Sequence, residues 1–356
     1  MRLALTGLPS SGVKTIYSAI SGHAEAGGIQ SGASGQTRLS VLKVPDPRLD
    51  LLAEIFKPRK VVPASVELAE FPGLFGGAKL ESQSVAKARE ADALALVLRC
   101  FESDVAPHPA GSVDPGRDLG NFFSEMVLAD LAVAEGRLKR LASSVKRRDN
   151  EDDLAEHALL TRVREMLEGG QGLRQGQLQL AQEHKRLRGF GFLTAKPVLL
   201  ILNIGESQLG EEEDLAASFQ GRAEQVEALC GSLESELAQL DEEEQAEFMS
   251  DFGVEELAAP RVLAAAYRTL DLRTFLTYGE DEARAWNVRA GQTALAAAGK
   301  IHTDLARGFI RAEVIAWQDF EQHREIKAVK AAGKFRLEGK EYVVQEGDLI
   351  IIRHSS

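Results

Sequence analysis

The chain has 356 residues, 44% of them hydrophobic, with 54 acidic against 42 basic side chains and a net charge of −12. That length exceeds one typical core, so two or three domains are expected, and the acidic balance argues against indiscriminate nucleic-acid binding without excluding a local basic face. No apolar run reaches the length of a membrane span, and the two cysteines, Cys100 and Cys230, form neither a disulfide framework nor a metal-ligand spacing.

"RLALTG" reads as a buried strand ending in a glycine turn, and "VKTIYSAISG" as the helix after it. The N-terminus lacks the long apolar core and small-residue cleavage site of a signal peptide, so a cytoplasmic protein is expected. Between strand and helix, "TGLPSSGVKTIY" nearly spells the phosphate-binding loop G-x-x-x-x-G-K-[ST]. Gly7 and Gly12 are correctly spaced, but Val13 comes next and the lysine arrives one place late, at Lys14.

Residues 21–37 are rich in Gly, Ser and Ala and read as loop, while "SVELAEFPG" and "ALALVLRCF" read as strands. Val127, Leu131, Ala134, Leu138, Leu141 and Val145 then form the heptad stripe of a long helix. "NEDD" ends it, and a second helical run near 153–168 can pack back as an antiparallel arm. Residues 168–177 interrupt that run and 178–188 resume as helix. "KPVLLILNIGE" has the continuous apolar character of a central parallel strand, and 225–232 is a weaker strand. "ELAQLDEEEQAEFMSDFG" and "APRVLAAAYRTL" are helices. From Thr274 the pattern becomes short strands and turns, a separate small β-rich domain. Strands alternating with helices make the fold class α/β.

The stretches "VPDPRLDLLAEIFKPRK", "ADALALVLRCFESD", "LADLAVAE", "ELAQLDEEEQAEFM" and the long run 284–320 resemble the Obg-like ATPase family, YchF branch, from end to end. The resemblance implies a P-loop G domain with a mostly parallel sheet, an inserted coiled-coil arm and a C-terminal TGS-type β domain. It suggests boundaries at 1–122 and 191–272 for the two parts of the G domain, 123–190 for the arm and 273–356 for the TGS-like domain.

The family's loop, G-L-P-N-V-G-K-S-T, aligns without a gap on "GLPSSGVKT". Val13 therefore stands in the place of the phosphate-binding lysine, and Lys14 in that of the magnesium-binding hydroxyl. The residues offered to nucleotide phosphates are Gly7, Pro9, Ser10, Ser11, Gly12, Val13, Lys14 and Thr15. Backbone N–H groups and the helix N-terminus cradle phosphates, and the lysine adds a point charge. Consecutive helical residues turn by about 100°, so Lys14 replaces that lysine only by reaching back, or else puts its ammonium where the metal would sit.

The family's D-x-x-G becomes "EFPG", which leaves Glu70 as the candidate metal carboxylate, and Leu74 follows its glycine. The first switch, T-I-E-P-N, has no counterpart, with Ser34 opposite its threonine. The altered lysine, hydroxyl, aspartate and threonine surround one reaction centre, so no residue is assigned to catalysis. "NIGE" matches the N-x-x-E of the ATP-using branch, making Asn203 and Glu206 candidates at the base; "CGS" adds Cys230 and Gly231, through backbone N–H groups. ATP is the implied cofactor, GTP the second candidate, and Mg²⁺ is in question.

The first reading is a divergent purine-nucleotide-binding protein with weak or lost hydrolysis. The second is a nucleotide-free scaffold that engages a partner through the arm and the TGS-like domain. The resemblance implies a ribosome or RNA-containing partner, and the absence of a span-length apolar run implies no membrane partner. Two basic clusters suit it: Lys139, Arg140, Lys146, Arg147 and Arg148 near the arm tip, and Lys327, Lys330, Lys334, Arg336 and Lys340 in the last domain. Equally, they suit plain solvated surfaces.

Overall fold

The computed structural model describes residues 1–22, 38–71, 82–147, 150–174, 185–252 and 256–355. They divide into two compact units, Met1–Ser40 with Leu68–Ala266, and Val41–Glu67 with Tyr267–Ser356. In chain order the helices are α1 (Val13–Ser21), α2 (Pro47–Phe56), α3 (Ser82–Glu90), α4 (Pro115–Arg147), α5 (Glu151–Glu168), α6 (Lys185–Arg188) and α7 (Glu212–Ser218). They continue with α8 (Gly231–Leu237), α9 (Glu242–Phe252), α10 (Ala258–Thr269), α11 (Ala294–Ile301), α12 (Thr303–Arg307), α13 (Trp317–His323) and α14 (Ile326–Ala331).

One six-stranded sheet is formed by β1 (Arg2–Gly7), β2 (Arg38–Val44), β4 (Ala64–Glu70), β5 (Ala93–Arg99), β6 (Val198–Asn203) and β7 (Gln225–Leu229), in the order β2-β4-β1-β5-β6-β7; the first unit holds all of β1, β5, β6 and β7, the first three residues of β2 and the last three of β4. The pairs β1–β5, β5–β6 and β6–β7 are parallel, with Gly7 opposite Val97 and Arg99 opposite Asn203. Every residue of β5 and β6 is buried, which explains their unbroken apolar sequences. The parallel register brings Gly7, Arg99 and Asn203 to one carboxyl edge of the sheet, where α/β folds place their ligands.

The arm follows the heptad stripe. Val127, Ala134, Leu138 and Leu141 of α4 are buried with Leu159, Leu160, Val163 and Leu167 of α5, and Leu131 and Val145 pack at the margin. Asp114 starts α4 by accepting from Arg117 N at 2.9 Å, earlier than the expected boundary at 123. Asn150 caps α5, accepting from Asp152 N at 2.9 Å, and the acidic first turn Glu151–Asp153 complements the helix dipole. Arg137 and Glu156 bridge the two helices at 2.6 Å. The expected helix over 178–188 falls largely outside the described residues; α6 is its described end.

The base of the arm is held by Asp130, which is fully buried. It accepts from Leu193 N at 3.0 Å and from both the N and Oγ1 of Thr194 at 2.8 Å, and it pairs with Arg89 of α3.

The second unit carries the sheet β11-β10-β12-β8-β9-β3, formed by β3 (Lys60–Val62), β8 (Leu272–Thr277), β9 (Glu282–Arg289), β10 (Phe309–Ile315), β11 (Arg336–Glu338) and β12 (Leu349–His354). It differs from the expected β-rich module in two ways. Four helices, α11 to α14, lie between β9 and β11; the alanine-rich "ALAAAGKI" favours helix over strand. The unit also includes residues 41–67, which the sequence reading gave to the G domain. Leu49, Leu52 and Ala64 join its core with Leu276, Ile315, Phe320 and Leu349. Arg48 bonds Asp46 at 2.7 Å and Glu346 at 2.6 Å, and Asn287 donates to Ser65 O at 2.7 Å.

Replacing Asp130 by Ala should lower the stability of the first unit by about 3–5 kcal/mol, because Arg89 and two backbone N–H groups lose one buried acceptor. Urea unfolding followed by circular dichroism measures this; an unchanged midpoint would remove Asp130 as the anchor.

Candidate functional site

The loop between β1 and α1 has the backbone of an anion cradle. Ser11 N closes a turn on Leu8 O at 3.1 Å. Ser10 has φ +63° and Gly12 has φ +89°, two left-handed residues flanking Ser11, and left-handed positions of this kind are what turn successive N–H groups towards one concavity in anion-binding loops. Gly12 precedes α1 without a side-chain cap, so the helix's first N–H groups stay available. Space is as restrictive as conformation. A Cβ on Gly7 would lie 2.7 Å from Val97 O, and one on Gly12 would lie 2.2 Å from Asn203 Nδ2. Pro9 and Ser10 are exposed, Thr15 half-buried, and Ser11 buried with an Oγ that has no hydrogen-bond partner. A buried orphan hydroxyl in an uncapped cradle fits a phosphate acceptor of the kind a nucleotide provides.

The side chains behind this backbone are altered. Val13 is buried, with Cγ2 3.0 Å from where a Gly7 Cβ would lie. Lys14 is exposed, one position around the helix. An apolar wall thus occupies the place of the phosphate lysine, and the lysine present faces solvent.

Asn203 locks the loop to the rest of the site. Its Nδ2 donates to Ser11 O at 2.9 Å and its Oδ1 accepts from Gly231 N at 3.0 Å. It is 4% exposed. The N–H of Gly231, a candidate base contact from sequence, is therefore already taken up inside the protein. Gly231 also has no room for a side chain, since a Cβ would lie 2.7 Å from Ile16 Cδ1. Cys230 is buried, its Sγ 3.3 Å from Ser232 Oγ. Burial, and then the charge of Asp118, push the Cys100 thiol up to about 12, which removes it as a nucleophile near neutral pH. Glu206 is exposed in a short 3₁₀ turn (Glu206–Gln208), while Asn203 faces inward, so the two ends of N-x-x-E separate.

Two arginines complete the site, and neither was among the site residues expected from sequence. Arg99, 1% exposed at the end of β5, donates to Phe101 O at 2.9 Å and Ser10 O at 3.4 Å, with its guanidinium 4.5 Å from the Phe101 ring centre. Arg38, the first residue of β2, donates through Nε to Glu70 Oε2. Its guanidinium also lies 4.4 Å from the Tyr17 ring centre, and Tyr17 OH bonds Ser40 Oγ at 2.6 Å. An arginine within an apolar strand, and another beside a Gly/Ser-rich stretch, offered no periodic signal.

Glu70 is 2% exposed at the end of β4. Its charge already has a cation, and the expected hydroxyl position holds the exposed Lys14, so this donor set does not fit Mg²⁺. Among the described residues, no group of three or more His, Cys, Asp or Glu side chains could hold a metal. Ser34, Gly73 and Leu74 lie outside the described residues.

Asn203→Ala should destabilise the first unit by about 2–4 kcal/mol, because one buried N–H and one buried C=O lose their partner together. Gly12→Ala should cost about 1–3 kcal/mol through its left-handed φ and the contact with Asn203. Denaturant titration measures both, and wild-type stability of Asn203→Ala would refute the brace.

A chain with this loop has close relatives. The family model YchF-GTPase_C, described as "Protein of unknown function (DUF933)", matches residues 272–355. The "Ribosome-binding ATPase YchF" of Haemophilus ducreyi is 38% identical over 364 residues, covering 99% of this chain and 98% of that protein. The protein of the same name from Bacillus subtilis is 34% identical over 360 residues, covering 98% of each. Among solved structures, the Schizosaccharomyces pombe YchF GTPase matches with a TM-score of 0.83 at 28% identity, over 99% of this chain and 97% of that one. With identity above 30% sustained along nearly the whole length, this chain belongs to the YchF family.

Proposed function

We propose that the chain is a divergent purine-nucleotide-binding YchF protein that prefers ATP to GTP, has weak or lost hydrolysis, and couples its nucleotide state to a ribosome or RNA-containing partner. The observation that carries this reading is a phosphate-cradling backbone, with left-handed Ser10 and Gly12, whose charged side chain has been replaced by the buried Val13. Gly7, Ser11, Gly12 and the first N–H groups of α1 hold the phosphates. Arg99 and Asn203 fix the loop from behind. Bound ATP would supply its β- and γ-phosphates to this cradle. With an apolar residue behind the loop and Lys14 facing solvent, little opposes the charge that builds up during phosphoryl transfer. The buried Val13 also gives weight to the second reading, in which the first unit is a nucleotide-free platform.

A double substitution tests the cradle. Val13→Lys with Lys14→Ser should tighten binding of a fluorescent ATP analogue by about tenfold, roughly 1.4 kcal/mol. Turnover should remain low, because Ser34 still stands at the switch threonine. Magnesium-dependent hydrolysis by the unmodified chain at an active relative's rate would refute the reading; no nucleotide binding by either form would favour the platform.

ATP is preferred because Asn203-x-x-Glu206 lacks the aspartate that pairs with the guanine edge. Competition titrations should show a preference of a few-fold to about tenfold. Tighter GTP binding would overturn it.

The relatives' printed name, together with basic clusters in an acidic chain, supports the partner. Lys139 and Arg140 are exposed on α4; Arg148 lies outside the described residues. Phosphate contacts make such binding steeply salt-dependent. The chain should pellet with ribosomes at low salt and be released as salt rises. Changing Lys146, Arg147 and Arg148 to Glu should abolish pelleting while leaving the circular dichroism spectrum unchanged. Pelleting at the wild-type level would exclude this surface.

A further inference from the structure

We infer that Arg38 takes the metal cation's place at this site, so that the loop accepts a nucleoside triphosphate as the metal-free polyanion. The inference rests on the nucleotide-binding reading above.

Four observations carry it. Arg38 contacts Glu70, the carboxylate whose sequence position is that of the metal-side aspartate. The contact is enclosed on the acid's side, since Glu70 is 2% exposed. Arg38 also covers the Tyr17 ring at 4.4 Å. Tyr17 is three residues beyond Lys14 on α1, which places the two on one helix face. The guanidinium therefore lies against the carboxylate at 70, one of the two positions from which a P-loop protein holds its cation, and against α1 about one turn beyond the other, the hydroxyl position at 14. Finally, Arg38 Nη2 and Glu70 Oε1 are both buried without a hydrogen-bond partner. Arg38 thus uses its Nε on Glu70 and retains a desolvated N–H pair. Guanidinium donors match phosphate oxygens in bidentate geometry.

The chemistry of Mg²⁺ points the same way. It requires near-octahedral oxygen ligation and keeps several waters. Here the carboxylate already has a cation, a lysine stands at the hydroxyl position, and a second positive charge close to Arg38 would be repelled. A guanidinium supplies one charge without those demands and needs no metal to be recruited. It carries one positive charge where Mg²⁺ would supply two, in keeping with binding separated from turnover.

Two measurements on the full chain test this. The first is titration with a fluorescent ATP analogue in excess EDTA and in excess Mg²⁺. Wild type should bind equally in both, within about twofold. Arg38→Ala should lose about tenfold in EDTA and gain a Mg²⁺ dependence, while Arg38→Lys, which keeps the charge but not the forked donors, should recover only part of the metal-free affinity. A purely structural Arg38 would change stability and leave the EDTA-to-Mg²⁺ ratio alone. Wild type binding about tenfold more tightly with Mg²⁺, or an unchanged ratio in Arg38→Ala, overturns the inference. The second measurement is paramagnetic resonance titration with Mn²⁺ and no nucleotide. Wild type should bind no Mn²⁺ at Glu70, Arg38→Ala should acquire a site, and adding Glu70→Gln should remove it. If no nucleotide binds in either buffer, the nucleotide-binding reading fails and so does the metal-free polyanion; the Mn²⁺ titration still decides whether Arg38 holds the cation position. Equal Mn²⁺ binding by wild type and Arg38→Ala refutes that.

Discussion

The site depends on one buried amide. Asn203 joins the loop after β1 to the loop after β7, donating to Ser11 O and accepting from Gly231 N. Both bonds are internal, and at 4% exposure neither group has water to fall back on. This explains two glycines at once. Gly12 must leave room for Nδ2, and Gly231 must leave room for Oδ1 and for Ile16 of α1. A side chain at either position would push apart the elements that shape the cradle. The motif residue that sequence suggests for base recognition therefore does its work as a strut, and the loop's shape depends on β6 as much as on its own glycines.

Around that strut the electrostatics have been rebuilt. An active P-loop concentrates its charge in one lysine and one metal ion. Here the first position is apolar, and the cations stand on other elements: Arg99 on β5 against Ser10 O, and Arg38 on β2 against Glu70. Arg99 lies beneath the loop, where it supports backbone geometry. Arg38 lies beside α1, where it neutralises a buried carboxylate that would otherwise be costly. Both cations are therefore held by the sheet itself, one at the end of β5 and one at the start of β2.

The second unit shows chain segments distant in sequence making one core. Residues 41–67 leave the first unit and supply β3 to a sheet whose other strands come from the last third of the chain, and α2 to the core of that unit. Arg48 secures this by bonding Asp46 on one side and Glu346 on the other. The bond to Asp46 first, and then that to Glu346, raise its own titration above the ordinary arginine range, against desolvation, which acts to lower it. The side chain also lies against Gly347, where a Cβ would come within 2.7 Å of Nη1.

Local pattern and close resemblance made much of this legible. Strand-length apolar runs gave β1, β5 and β6, and the heptad spacing gave the buried stripe of α4, because a helix repeats its faces at a fixed interval whatever it packs against. The Val13–Lys14 order was readable at once, as was the loss of the P-loop hydroxyl. Tertiary structure alone decided which way these residues face and what completes them. Arg38 meets Glu70 across 32 residues of sequence, Asn203 meets Ser11 across 192, and Asn287 meets Ser65 across 222. No periodicity encodes such pairs, because they form only when sheet register and loop path bring the chain back on itself. For the same reason sequence could put Asn203 and Glu206 in one motif, while only the fold could turn one inward to brace the loop and leave the other in solvent.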